Sequence, residues 1–235
     1  KVLVLLAVIL SVKGQSSNPP FLPTYARCRE VKTVDVDMRT WPGKRYSNVI
    51  TNGSDITCNY AKRFLTYSGE ETLLATTFSH YNDGVTTNVT NAGSYVKKGV
   101  YKFSLNIFGE DKAPVTFIVF FMYYNSKTTL SCQTVCTDDP RIQNNEGDRN
   151  GFIHCMSRHP CARKEDAQLI RTIAERGNFD LDKLAIPENP CCPNYPSETR
   201  GVQCHKYTSE EYFSGTSSIH PKPRTGMYPK GPRKH

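Results

Sequence analysis

Residues 100–108 read VYKFSLNIF, and residues 115–124 read VTFIVFFMYY. In the first stretch, apolar and polar side chains alternate with a period of two, which is typical of a strand with one buried face. The second stretch is apolar at nearly every position, which indicates a strand that is covered on both faces. The two stretches therefore predict one half-buried strand and one strand that is apolar on both faces.

Strand-like patterns of the same kind recur between residues 43 and 158. Turn residues separate them, and Asp83-Gly84 is a strong hairpin signal. A helical period then appears over residues 162–177, where Gly177 predicts the end of the helix. Eight up-and-down strands followed by a helix predict an all-β, eight-stranded antiparallel barrel with room for one small ligand. The predicted strands are 44–51, 57–67, 71–81, 85–95, 100–108, 115–124, 128–136 and 151–157.

Composition limits the domain organisation of the chain. It has 235 residues, of which 37% are hydrophobic, and a formal net charge of +8. Residues 1–14 have the cation, apolar core and small-residue end of a secretory signal peptide, which leaves residues 15–192 for the barrel and helix. Residues 193–235 are rich in Pro, Gly and basic side chains, which predicts a basic, disordered tail. No internal apolar run reaches the ~20 residues of a membrane span, and the near-neutral body does not favour nucleic acid.

Four stretches carry a resemblance to a known family. Residues 36–46 (VDMRTWPGKRY) resemble the motif that enters the first strand of lipocalins, and residues 121–132 (FMYYNSKTTLSC) resemble the region between their sixth and seventh strands. Residues 156–160 (MSRHP) resemble the motif that ends the eighth strand, and residues 178–184 (NFDLDKL) resemble the stretch after the helix. Over about residues 28–192 the chain therefore resembles a secreted invertebrate lipocalin of the apolipoprotein D type.

The first motif departs from the family at one position. The resemblance implies Gly43 and Arg158 as motif residues at the closed end of the barrel, but Arg45 stands where the family has Trp. Two cations buried together would repel each other. Either Arg45 turns outward, or Trp41 supplies the aromatic cover through a cation–π contact.

The nine cysteines indicate an oxidising compartment, and therefore disulfides. The resemblance implies a bridge from Cys28 to Cys132, which would tie the N-terminal segment to the seventh strand. It also implies a bridge from Cys58 to Cys191 or Cys192, which would tie the second strand to the segment after the helix.

The remaining cysteines are assigned from their positions along the chain. Cys136 and Cys155 flank the loop between the seventh and eighth strands, which favours a cross-strand bridge. Cys161 would take whichever member of the 191–192 pair is left. Cys204 would then be unpaired or would join two chains in a disulfide-linked dimer. Zinc is the rival interpretation, but no paired CxxC knuckles occur.

Strand alternation selects the side chains that would line the barrel. The apolar set of residues 100–108 faces inward if the outer face is wet. The alternative is that these rings only fill a solid core. Asn52 and Asn88 begin Asn-x-Ser/Thr triplets and are predicted N-glycosylation sites. The predicted ligand-binding residues are Tyr60, Phe64, Phe78, His80, Tyr101, Phe103, Leu105, Phe117, Phe121 and Tyr123.

The sequence carries no catalytic signature. It lacks G-x-S-x-G, H-E-x-x-H, P-loop and Rossmann patterns. We therefore expect a non-enzymatic protein with no cofactor and no metal, although His80, His154 and His159 leave a haem or metal ligand as an alternative.

The predicted function is extracellular binding of a small, mainly hydrophobic molecule such as a lipid, retinoid or pigment. A carrier and a scavenger both bind their ligand by burying its apolar surface, so the sequence leaves both functions open. A scavenger of biogenic amines is an alternative, but it would need carboxylates inside the barrel, and the predicted inward faces hold none. A second alternative is an interaction or inhibitor module with an empty or filled barrel. A secreted enzyme on this scaffold ranks last.

Overall fold

Eight long strands in sequence order form the body of the protein. The computed structural model describes residues 28, 31–37, 40–51, 56–67, 71–81, 83–109, 111–142, 152–187 and 204–214. The strands are β1 (Gly43–Thr51), β2 (Ile56–Tyr67), β3 (Glu71–Tyr81), β4 (Thr86–Lys97), β5 (Val100–Leu105), β6 (Val115–Tyr124), β7 (Ser131–Cys136) and β8 (Phe152–Ser157). Each strand pairs antiparallel with the next, and β1 pairs with both β2 and β8. This double pairing closes the sheet into the predicted eight-stranded up-and-down barrel.

The N-terminal segment, described over residues 31–37 and 40–42, crosses one end of the barrel, which we call the closed end. Its Val34 N–H donates to the Phe121 carbonyl at 2.8 Å, and the Phe121 N–H donates to the Gly99 carbonyl at 2.9 Å. Gly99 has φ +69, and a Cβ there would lie 2.2 Å from the Val34 oxygen. Glycine is therefore required where the β4–β5 turn meets this segment. β1, β3, β5 and β7 end at the opposite, open end of the barrel.

A helix covers the outside of the barrel at β1, β7 and β8. Helix α1 (Lys164–Arg176) buries Ala167, Ile170, Ile173 and Ala174, the spacing of one helical stripe. These side chains pack against the outward residues Val49, Ile153 and Cys155. The helix ends as predicted at Gly177, whose N–H donates to the Ile173 carbonyl at 3.0 Å. A 3-10 turn (Leu181–Lys183) and the short strand β9 (Leu184–Ala185), which pairs with β1, follow it.

Residues 204–214, which belong to the stretch predicted to be mostly disordered, pack on this helix. They include helix α2 (Ser209–Phe213), and the side chains of Tyr212 and Phe213 are buried in the cluster beneath α1. The Thr208 hydroxyl caps α2 by accepting the Glu211 N–H at 3.1 Å. Composition averaged over 43 residues concealed these two aromatic side chains.

The disulfides differ from the predicted pairing. Cys132 pairs directly with Cys155 across the β7–β8 ladder and is bonded to it, so Cys28 cannot take Cys132 and bonds Cys136 instead. Cys136 lies one residue beyond the last pair of this ladder, Val135 with Phe152. The predicted Cys136–Cys155 bridge is therefore also wrong.

The last two assignments concern the C-terminal half. Cys161 bonds Cys204, which fastens residues 204–214 to the start of α1. This contradicts both the predicted bridge from Cys161 to the 191–192 pair and the dimer through Cys204. Cys58 is disulfide-bonded, while Cys191 and Cys192 lie outside the described residues.

Several predictions fall outside the described residues: the signal peptide at 1–14, the Asn52 triplet, and the tail at 193–203 and 215–235. Asn88 is described, and its side chain is exposed on β4. In the described ranges, no helix has both the length and the apolar character needed to cross a membrane.

Candidate functional site

The pairing register identifies the side chains that face the barrel interior. Directly paired residues and alternate residues along a strand share one face of a sheet. Starting from β1, the pairings carry this face through β2, β3 and β4 to β5 and β6 without a break. The residues on this face are Arg45, Ala61, Thr77, Val89, Gly93, Phe103 and Phe117.

An aromatic wall on β5 and β6 occupies part of this inner face. The structure places Tyr101, Phe103, Leu105, Phe117 and Phe121 there, as predicted from the alternation. The Phe103 and Phe117 rings stack with centroids 5.2 Å apart, and Tyr101 meets Phe121 edge-on at 5.8 Å. The same cluster contains side chains of β1, β7 and β8, so it reaches across the interior.

Two residues predicted to face inward from β2 face outward. Tyr60 pairs with Tyr46, and both rings cluster with Cys58 on the outside of the barrel. Phe64 lies on the same face as Tyr60 and is 53% exposed. The inward residues of β2 are Asn59, Ala61 and Arg63, so the prediction chose the wrong face of this strand.

The outcomes differ for the three remaining predicted residues. Tyr123 packs against the cluster beneath α1 rather than inside the barrel, because the β6–β7 register shifts between Phe121 and Tyr123. Such a bulge reverses the face of the residues beyond it. Phe78 and His80 pair through the backbone with Tyr60 and Cys58, and their side chains lie outside the described part.

A buried polar layer lies beside the aromatic wall. The Ser47 hydroxyl contacts both the Asn59 Oδ1 and the His154 Nε2 at 2.5 Å, and the Asn59 Nδ2 donates to the Ser79 hydroxyl at 2.7 Å. Burial, and then the charge of Arg63, lower the pKa of His154 to about 3. His154 is therefore a neutral hydrogen-bonding group at physiological pH. The alternation of Asn59, Ala61 and Arg63 in the sequence was the signal that could have revealed this layer.

The closed end contains an arginine beneath an aromatic ring. Trp41 and Arg45 are fully buried, and the Arg45 guanidinium lies 4.3 Å from the Trp41 ring centroid. Of the two alternatives, Arg45 therefore turns inward, with Trp41 as its aromatic cover. Its N–H groups donate to the carbonyls of Thr40, Trp41 and Thr129. Burial lowers the pKa of Arg45 to about 10, which leaves it charged.

The other motif residues complete this end from outside. The Arg158 side chain is exposed and donates to the Pro42 carbonyl at 3.0 Å. Gly43 has φ +112, and a Cβ there would lie 3.8 Å from the Arg158 Nη2. The predicted motif residues thus meet at one place, but Arg158 holds the chain before β1 rather than stacking on Trp41.

A second buried arginine lies close to the first. Arg63 is 7% exposed, and its guanidinium lies 4.9 Å from the Trp41 ring centroid. Its Nη2 donates to the Met156 sulfur at 3.0 Å, and its Nε has no hydrogen-bond partner. Burial, and then the charge of Arg45, lower the pKa of Arg63 to about 9. The interior therefore holds two cations at neutral pH.

No described carboxylate neutralises these cations. Among the residues whose burial is described, Asp166 is the one buried carboxylate, and it pairs with Arg163 at 2.7 Å on α1, outside the barrel. Within the same part of the chain, no three His, Cys, Asp or Glu side chains are grouped to hold a metal ion. The interior is thus an aromatic wall joined to a polar, positively charged floor.

Comparison with known proteins bears on the fold. No protein-family model and no curated protein sequence matches the chain. Among solved structures, it is similar to the major allergen Per a 4 from cockroaches, with a TM-score of 0.53 and 15% identity over 72% of this chain and 99% of that one. It is also similar to insecticyanin from the tobacco hornworm Manduca sexta, with a TM-score of 0.49 and 13% identity over 78% and 93% of the two chains.

Lobster apocrustacyanin A1 gives a TM-score of 0.47 and 10% identity over 65% of this chain and 79% of that one. At these identities the likeness to the cockroach allergen concerns the fold alone. Together with the closed eight-strand topology, it gives the chain a lipocalin-type barrel.

Proposed function

We propose that this protein is a secreted, apolipoprotein D-like lipocalin that binds a small, mainly hydrophobic molecule inside its barrel. One observation carries the proposal: apolar side chains on the inner face stay accessible to solvent. Val89 faces inward on β4 and is 43% exposed, and Phe103 and Leu105 are only half-buried. In a barrel whose core were solid, these side chains would be packed against the opposite wall.

The chemistry of the wall suits an apolar ligand. Burial of apolar surface contributes roughly 25 cal/mol per Å², and flat rings such as Phe103 on Phe117 offer a large contact area. Tyr101 adds a hydroxyl to the same wall. No reaction is required, so we propose a carrier or scavenger without catalytic activity.

Two features support a secreted protein. Residues 1–14 have the pattern of a signal peptide. The disulfides Cys28–Cys136, Cys132–Cys155 and Cys161–Cys204 are typical of oxidising compartments. Asn88 is exposed and could accept an N-linked glycan there.

Charge argues against the amine alternative. A cationic amine needs an anionic partner inside the barrel, whereas the described interior holds Arg45 and Arg63 and no carboxylate. The interaction-module alternative predicts instead that no small molecule saturates the barrel.

Titration with an apolar fluorescent probe tests the proposed function. Phe103→Ala removes half of the stacked ring pair on the inner face, so we expect binding to weaken at least tenfold, or ~1.4 kcal/mol. Lys102→Ala is the matched control, because Lys102 is the next residue of the same strand and is exposed on the outer face. Loss of binding in the Lys102 variant alone, or no saturable binding by the unmodified protein, would contradict the proposal.

A further inference from the structure

Among the described residues, the buried guanidinium of Arg63 has fewer partners than a charge in a protein interior normally has. Its side chain makes one described hydrogen bond, to the Met156 sulfur, and its Nε makes none. Sulfur is a weak acceptor, and an uncompensated buried charge is strongly destabilising. Ion pairs elsewhere in the described chain join Lys, Arg or His to carboxylates, but none includes Arg63.

Arg45 shows that the fold can satisfy an arginine in this place. Its guanidinium donates to main-chain carbonyls of the N-terminal segment and of the β6–β7 connection. Arg63 lies over the same Trp41 ring but donates to no carbonyl of the residues that the structure describes. Arg45 is thus part of the closed-end structure, whereas Arg63 retains unused donor capacity inside the barrel.

Other polar atoms around this floor also lack partners. The Trp41 Nε1 and the Gln133 Oε1 are buried and make no hydrogen bond. Gln133 pairs through the backbone with His154, the neutral member of the polar layer. Buried polar atoms are nearly always satisfied. The Gln133 Oε1 is an acceptor and would need a donor, whereas the Trp41 Nε1 and the Arg63 Nε are donors and point to a missing hydrogen-bond acceptor. Since the floor is cationic and holds no described carboxylate, that acceptor is an anion.

The apolar wall begins where the cationic floor ends. The Trp41 ring lies 4.9 Å from the Arg63 guanidinium and 5.0 Å from the Phe121 ring. From Phe121 the aromatic contacts continue through Tyr101 to the rest of β5 and β6. A ligand that extends along this path meets a cation at its inner end and rings along its length.

We infer that Arg63 binds the carboxylate of an amphiphilic ligand whose apolar chain lies along the β5–β6 aromatic wall. This inference rests on the proposed function and specifies its ligand class as a single-chain carboxylic acid. The guanidinium donates two parallel N–H groups to the carboxylate, as arginine commonly does.

Three amphiphiles with the same twelve-carbon chain distinguish the contribution of the head group to binding from that of the apolar chain: dodecanoate, dodecanol and dodecyltrimethylammonium. Each is titrated at neutral pH against the full chain loaded with the neutral apolar probe, and probe displacement is measured. For the unmodified protein we expect dodecanoate to bind at least tenfold tighter than dodecanol, and the ammonium compound to bind weakest. Equal affinity for the acid and the alcohol would overturn the inference and leave the proposed function standing. If the probe bound but none of the three displaced it, the inference would fail alone, whereas a protein that did not bind the probe saturably would contradict the proposed function.

Variants assign the preference to Arg63. Arg63→Met keeps an unbranched stem and removes the charge, so we expect the preference for the acid to disappear while dodecanol affinity stays within about twofold. Arg63→Lys keeps the charge without the fork and should retain a reduced preference, which covers the case that the Met variant does not fold. Lys102→Met removes an exposed cation from the outer face as the matched control. An unchanged preference in both Arg63 variants would refute the assignment.

Discussion

Tyr212→Ala tests whether residues 204–214 are an integral part of the fold. The Tyr212 side chain is fully buried, and its hydroxyl donates to the Arg163 carbonyl at 3.0 Å. Its ring meets Tyr207 and Phe213 at centroid distances of 5.3 and 5.0 Å. Burial raises the pKa of the hydroxyl, which therefore stays protonated as a donor.

The expected loss follows from the size of the cavity that the substitution leaves. Replacing a buried aromatic side chain with alanine costs about 3–5 kcal/mol. For a chain of this length each kcal/mol moves the melting temperature by roughly 2–4 °C. We therefore expect a decrease of roughly 6–20 °C. Tyr212→Phe removes only the hydrogen bond to Arg163, worth ~1 kcal/mol, and should lower the melting temperature by only a few degrees.

Thermal unfolding followed by circular dichroism, with disulfides intact, measures both variants. A chain that ends after Ser214 is the control, because it retains every described contact of residues 204–214. A chain that ends after Thr199 also loses the Cys161–Cys204 bridge, whose separation of 43 residues is worth ~4 kcal/mol in the chain-entropy model. If Tyr212→Ala and the Thr199 truncation both melted like the unmodified protein, the packing of this segment would not contribute to stability.

Two further substitutions test the buried layer and the closed end. His154 has a folded pKa of about 3 against 6.5 when unfolded, so the unfolded chain alone takes up its proton and stability falls as the pH drops below 6.5. Between pH 7 and pH 4.5 the unmodified protein should lose stability partly through His154, and in His154→Gln this loss should be smaller by about 2–3 kcal/mol. Urea unfolding at the two pH values measures the difference, and an unchanged pH dependence would contradict the prediction. Gly99→Ala should destabilise by more than the ~1–2 kcal/mol of a left-handed residue, because the new Cβ meets the Val34 oxygen. Gly84→Ala is the control, because Gly84 also has a positive φ but a Cβ there would have no neighbour within 4 Å. Equal melting temperatures for the two variants would show that the contact with the Val34 oxygen does not contribute to the loss of stability.

The sequence predicted the fold because the barrel follows from patterns that are local. On β5, Lys102 and Ser104 separate apolar residues, so the face toward the interior can be recognised from the chain alone. The helix can also be recognised from the sequence, because its apolar residues recur with a helical period and Gly177 marks its end. Each of these elements has one buried face and one face exposed to water. In such elements the period of the apolar residues along the sequence identifies the secondary structure and the buried face.

The inner face of β2 could not be predicted in the same way. Here the aromatic residue Tyr60 faces outward and packs on Tyr46, while Asn59 and Arg63 face inward. Because the interior contains a polar floor, the usual rule that aromatic side chains face inward and polar ones outward is reversed on β2. Only the pairing of β2 with β1 in the closed barrel shows this reversal. Tyr123 was misplaced for a different reason, because a bulge is a property of two paired strands rather than of one.

The closed end shows how the same physical requirement can be met with exchanged residues. At this end of the barrel an aromatic side chain covers the interior, and cations hold the carbonyls of the crossing segment. Here Trp41 comes from that segment rather than from β1, and Arg45 occupies the strand position beneath it. Because Arg45 satisfies the carbonyls from inside and Arg158 from outside, the structural role of arginine is filled twice. Arg63 is then not needed to close the barrel, and its buried charge has no carboxylate partner among the described residues, so a ligand explains this charge better than the fold does.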